Sequence, residues 1–132
     1  MIRYVIIDDH KMLRQGLRRI LDDEDGFEFT GEAADGLEGL KLIQEARPDV
    51  ALVDIMMPGI DGIELTRRAR DLAPGTKIII ISMLDNRSYV EESSRAGARG
   101  YVVKGSGGEE LVSAIKTVEA GGQFVRPSIS RP

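Results

Sequence analysis

The chain has no cysteine and a single histidine, His10. The first absence excludes a disulfide framework, a thiolate-ligated zinc site and a thiol nucleophile. The second excludes a multi-histidine metal site. Long apolar runs are also missing. The longest, Ile78 to Ile81, falls far short of the roughly 20 residues that span a bilayer. The N-terminal Met-Ile-Arg-Tyr-Val leads straight into a strand-like run and does not resemble a signal peptide, so the expected compartment is the cytoplasm, with no membrane partner. Excess positive charge is absent too: the formal net charge is −4 and the pI about 5.1. A domain that neutralises many phosphates normally carries a basic face. This chain alone is therefore a poor nucleic-acid binder.

What is present is the balance of an ordinary globular protein: 132 residues, 42% hydrophobic and 30% charged. That length suits one domain with a sizeable core. Fifteen glycines fall mostly between periodic segments, and the chain read with those breaks alternates. Tyr4–Ile7, Val50–Val53 and Ile78–Ile81 are continuous apolar runs, the pattern of strands buried on both faces. Phe27–Ala33 and Gly100–Val103 read as two further strands. Between them lie helical stripes: Leu13, Leu17, Ile20 and Leu21; Leu37, Leu40 and Ile43, stopping before Pro48; Leu65, Ala69 and Leu72; a polar helix over about 87–96; and Leu111, Ile115 and Val118, ended by Gly121-Gly122. Five strands alternating with five helices predict an α/β domain around a parallel sheet. Right-handed crossovers then put helices on both faces. From Gly121 to Pro132 the periodicity is lost, and the segment reads as a linker or frayed end.

Open parallel sheets bind ligands beyond the C-terminal ends of their strands. There the first strand ends in Asp8-Asp9, the third in Asp54, the fourth in Ser82, and the fifth reaches Lys104. Crowded carboxylates repel unless a cation neutralises them. All-oxygen ligation favours a hard ion such as Mg²⁺. A carboxylate beside such an ion can attack phosphorus, with an ammonium and a hydroxyl holding the transferred oxygens.

Each residue also has a plainer reading. Asp8-Asp9 can cap the following helix, and Asp54 or Ser82 can initiate a turn. Lys104 can be a solvated lysine, Tyr101 a core residue and His10 a structural or surface residue. Arg67, Arg68 and Arg70 read as a solvated helix face.

The set Ile-Ile-Asp8-Asp9-His10, Val-Asp54-Ile-Met-Met-Pro58-Gly-Ile-Asp-Gly62, Ile-Ser82-Met and Gly-Tyr101-Val-Val-Lys104-Gly resembles the receiver domain of two-component response regulators. These pieces span nearly the whole chain in family order. The resemblance implies a flavodoxin-like (βα)5 sandwich with strand order 2-1-3-4-5 and a receiver domain over residues 1–120. It further implies that Asp54 accepts a phosphoryl group from a sensor histidine kinase. Asp8, Asp9, Asp54 and the Met56 backbone carbonyl would hold Mg²⁺. Lys104 would contact the phosphoryl group, and Ser82 with Tyr101 would form the switch pair.

The Asp-His after the first strand, Ala-Gly-Ala-Arg-Gly-Tyr before the fifth and Ala-Gly-Gly after the last helix look like the NarL/LuxR branch. Such a receiver precedes a DNA-binding helix-turn-helix, which this chain does not contain. A phosphorylation-dependent homodimer is a further expectation. The resemblance also implies that the domain is not an enzyme acting on an external substrate. Gly105-Ser106-Gly107-Gly108 and the apolar Met56 depart from the pattern of many relatives. The first predicts a mobile loop, the second slower hydrolysis of an aspartyl phosphate.

Two other classes share parts of this layout. A Mg²⁺-dependent phosphohydrolase of the haloacid-dehalogenase kind places its nucleophile in a first-strand Asp-x-Asp, whereas here the first-strand acids are adjacent. A flavodoxin-like FMN carrier needs a Ser/Thr/Gly phosphate loop where Asp8-Asp9-His10 stands.

Overall fold

The computed structural model describes residues 1–125. The apolar runs become the inner strands of one parallel sheet. Its strands are β1 (Ile2–Ile7), β2 (Phe27–Ala33), β3 (Val50–Val53), β4 (Lys77–Ser82), β5 (Gly100–Val103) and β6 (Phe124–Val125). Between them run α1 (Lys11–Asp22), α2 (Gly36–Ala46), α3 (Gly62–Leu72), α4 (Arg87–Ala96) and α5 (Gly108–Glu119). The order across the sheet is β2-β1-β3-β4-β5-β6, so β1 and β3 sit side by side and the strand order reverses between them.

The period-2 alternation of strand side chains explains why these runs are apolar throughout. Val5, Ile7, Ala51, Val53, Ile78 and Ile80 face one layer, where Leu40 and Ile43 of α2, Leu65 and Ala69 of α3, and Val90 of α4 cover them. Tyr4, Ile6, Val50, Leu52, Ile79 and Ile81 face the other, covered by Leu17 and Leu21 of α1 and by Leu111, Ile115 and Val118 of α5. Every residue of β3 is buried. The result is the parallel sheet with helices on both faces that the sequence pattern predicts, arranged as the three-layer flavodoxin-like sandwich that the resemblance implies.

The sixth strand is an addition to the five expected. Phe124 and Val125 pair parallel to Gly100 and Tyr101 of β5, and the Phe124 N–H donates to the Arg99 carbonyl at 3.0 Å. Two residues are too few to show periodicity, and their pairing is supplied by the open edge of β5. The segment 121–132, read from the sequence as a linker or frayed end, therefore contains a strand; its residues 126–132 lie outside the described part. Among the described residues, no helix is long and apolar enough to cross a membrane.

Helix starts differ in a way that bears on the site. Asp35, Asp61 and Asn86 cap α2, α3 and α4 by accepting the backbone N–H groups of Glu38 (2.8 Å), Glu64 (2.8 Å) and Tyr89 (3.0 Å). α1 and α5 have no side-chain cap, their cap positions being His10 and Gly107. Asp8 and Asp9 are thus not spent on capping α1, which removes the plainer reading of that pair.

Candidate functional site

The site is built at the reversal point of the sheet, from the residues that follow three central strands. Backbone ladders carry on past the strand ends and fix the acids. The Asp8 N–H donates to the Ala33 carbonyl and the Asp54 N–H to the Ile7 carbonyl, both at 3.0 Å. Asp8 and Asp54 are therefore extensions of β1 and β3, 2% and 4% exposed. Ligating atoms of Asp8, Asp9, Asp54 and His10 all lie within 4.8 Å of one another.

Lys104, reached from the end of β5, supplies the countercharge. Its Nζ stands 3.1 Å from Asp8 Oδ2 and 3.3 Å from Asp54 Oδ2. Its backbone is held by the same device, since the Lys104 N–H donates to the Ser82 carbonyl at 2.7 Å. Burial raises the Asp54 carboxyl above its ordinary range, and the Asp8 charge adds to this; Lys104 and the Met56 N–H pull the other way. A buried carboxylate pressed by a neighbouring carboxylate is under-neutralised, because one ammonium serves both.

The remaining expected residues fall around this core. The Ser82 Oγ accepts the Leu84 N–H at 3.0 Å, so the turn reading of Ser82 is true of its present contact. The Tyr101 hydroxyl donates to the Leu84 carbonyl at 2.7 Å, which brings the tyrosine to the loop that Ser82 opens. Tyr101 is 2% exposed, and burial pushes its hydroxyl pKa up. The Met56 side chain points to solvent, 62% exposed, while its N–H reaches the Asp54 carboxylate. Gly62 is where the chain passes closest: a Cβ there would lie 2.2 Å from the Asp54 carbonyl oxygen. Arg67 and Arg68 pair with Glu64 on the α3 surface, as a solvated face does.

Two residues escaped the sequence reading. His10, read as structural or surface, places its Nδ1 3.1 Å from Asp8 Oδ1 and 3.2 Å from Asp9 Oδ1, and its N–H donates to Asp8 Oδ1 at 2.8 Å. Its adjacency to the acids was the one available signal. Arg14 donates to the Asp8 carbonyl at 2.6 Å and to Glu32 Oε1 at 2.5 Å. Nothing in its spacing marks it, because the contact depends on how α1 leaves β1.

Residues 4–116 match the response regulator receiver domain family. The chain belongs to that family. This receiver is 39% identical to the response regulator GacA of Pseudomonas aeruginosa over 131 residues, 99% of the chain and 61% of that relative. It thus spans about three-fifths of the length of the curated relatives it matches. Among solved structures, a LuxR-family response regulator from Aurantimonas sp. SI85-9A1 superposes with a TM-score of 0.94 at 36% identity, covering 98% of this chain and 93% of that one. The receiver domain of NarL from Mycobacterium tuberculosis does so with a TM-score of 0.87 at 36% identity, covering 91% and 97%. This receiver is of the NarL/LuxR type.

The donor set fits a hard divalent cation. Carboxylate oxygens predominate, Asp9 is exposed enough to reach solvent-borne ions, and the cluster carries more negative charge than Lys104 offsets.

Proposed function

We propose that this receiver is a phosphorylation-driven switch in which Asp54 accepts a phosphoryl group from the phosphohistidine of a sensor histidine kinase. The observation that carries the reading is Lys104 Nζ held between Asp8 and Asp54 at the reversal point of the sheet. An ammonium in that position can follow the negative charge from the carboxylates to an incoming phosphoryl oxygen. An Asp54 carboxylate oxygen attacks phosphorus, the P–O bond forms as the P–N bond to the donor imidazole breaks, and the imidazole leaves and takes a proton.

Asp8, Asp9 and Asp54, with the Met56 carbonyl, would hold Mg²⁺, which neutralises charge on the transferring group when bound. The chain's residues do the rest. The β1 and β3 ladders hold the acids in place, Lys104 binds a phosphoryl oxygen, and Ser82 offers its hydroxyl after giving up the Leu84 N–H. Loss of that bond frees the loop to which Tyr101 is tied through the Leu84 carbonyl. The switch then reads as Ser82 and Tyr101 moving inward together, changing the surface of α4, β5 and α5.

The output belongs to the same reading. Phosphorylation would favour a homodimer, and DNA would be met through a helix-turn-helix domain joined after the receiver in a longer regulator, in the cytoplasm. The receiver turns over its own phosphoryl group and acts on no external substrate. A phosphohydrolase is disfavoured because the acid whose carboxyl is raised above its ordinary range, Asp54, follows β3, and the two acids after β1 are adjacent rather than spaced as Asp-x-Asp.

The test is incorporation of label from a small phosphodonor with Mg²⁺ or with chelator. Stoichiometric labelling that chelator removes is expected; labelling indifferent to chelator would contradict the role of the acid cluster.

A further inference from the structure

Resting on the reading of Asp8 and Asp9 as cation ligands, we propose that Arg14 is the positioning residue that sets this receiver's affinity for the divalent cation. Arg14 lies one turn into α1, with its side chain only 14% exposed. Among the described residues it makes no hydrogen bond or ion pair to either carboxylate of the pair. Instead Nη1 donates to the Asp8 carbonyl at 2.6 Å, while Nε is fixed by Glu32 Oε1 at 2.5 Å, near the end of β2.

The geometry makes this contact the only side-chain hold on the peptide between the two acids among the described hydrogen bonds. The Asp8 N–H is tied to the Ala33 carbonyl, and the Asp8 carboxylate is tied back to the His10 N–H. The Asp8 carbonyl belongs to the peptide that carries Asp9. With that carbonyl clamped, the plane of the Asp8–Asp9 peptide is set, and with it the angle between the two side chains. α1 offers no substitute, because no side chain caps its start. Glu32 aims the guanidinium and balances its charge, which keeps Arg14 from competing with the cation for the carboxylates. A fixed outer partner of this kind typically governs metal affinity by about 10–100-fold.

Charge and position make opposite predictions here, and that decides the test. Removing a guanidinium beside three carboxylates raises cation affinity on Coulombic grounds. Releasing the peptide lowers it. Mg²⁺ is titrated into the receiver, following backbone amide shifts of Asp9 and Met56 by NMR, for the unaltered chain, Arg14→Met, Arg14→Lys and Glu32→Gln. Thermal unfolding without Mg²⁺ is recorded on the same samples.

Arg14→Met is expected to raise the dissociation constant about tenfold. Arg14→Lys, which can hold the carbonyl but not Glu32 as well, should recover part of that loss, and Glu32→Gln should lose less than Arg14→Met. An unchanged or tighter constant in Arg14→Met overturns the proposal, even with a lowered melting temperature, since that pattern is a structural role alone. Should Arg14→Met not fold, an Arg14→Lys constant equal to that of the unaltered chain overturns it. No saturable Mg²⁺ response in the unaltered chain would instead overturn the cation reading itself, and this proposal with it.

Discussion

Lys104 stands where two buried carboxylates need it, and its removal leaves both without a counterion. Breaking a buried pair from one side costs about 3–5 kcal/mol. Lys104→Met is accordingly expected to lower stability by about 3 kcal/mol without Mg²⁺, and to gain more from added Mg²⁺ than the unaltered chain does. Thermal unfolding with and without the ion checks both. Equal gains from Mg²⁺ in the two proteins would contradict the charge argument.

A second residue-scale prediction concerns Tyr4, buried with its hydroxyl unpartnered among the described residues. Burial pushes its pKa up to about 12, with Asp22 adding to the rise. A phenol whose pKa is raised in the fold leaves stability untouched below its unfolded value near 10, and stability is lost from there as pH climbs through 12, because the unfolded chain ionises first. The stability difference between the unaltered chain and Tyr4→Phe should therefore be flat to about pH 10 and then fall by about 3 kcal/mol. Tyr101 is common to both proteins and cancels. At neutral pH Tyr4→Phe should cost nothing, because it removes a hydroxyl that has no bond to lose. A flat difference from pH 9 to 12 would refute the account of Tyr4.

At the scale of elements, two helical glycines have opposite reasons to exist. Gly16 of α1 has open space where a Cβ would go, and it lines an apolar cavity of about 300 Å³ beside Leu13, Leu17, Ile20 and the Lys104 stem. Gly16→Ala should raise stability by about 1 kcal/mol through helix propensity alone. Gly62 begins α3 under the backbone of Asp54, and a Cβ there would meet the Asp54 carbonyl oxygen at 2.2 Å. Gly62→Ala must push α3 or β3 aside. A loss of at least about 2 kcal/mol is expected, together with a weakened cation site. Urea unfolding of the pair measures both signs, and a Gly62→Ala protein as stable as Gly16→Ala would contradict the packing described.

For the whole molecule, what could be read from the residues depended on how much of each contact is local. Tyr4–Ile7, Val50–Val53 and Ile78–Ile81 are legible because a strand covered on both faces has no polar position to blur it. The acids, Ser82 and Lys104 are legible because parallel strands all end on one side. β6 was not, since its two residues are held only by the edge of β5. The His10 and Arg14 contacts were not, since both depend on the path of the β1–α1 loop, which no periodicity encodes. The same holds for the Tyr101 bond to Leu84, which joins elements seventeen residues apart.

The central claim is that this architecture exists to load a phosphoryl group onto Asp54. Intact mass after incubation with a small phosphodonor and Mg²⁺ tests it most directly, on the unaltered chain and on Asp54→Asn. The account predicts the gain of one phosphoryl group by the unaltered chain and none by Asp54→Asn, with the variant folded. The same gain in both proteins would place the acceptor elsewhere, and no gain in either would leave a receiver fold that does not receive.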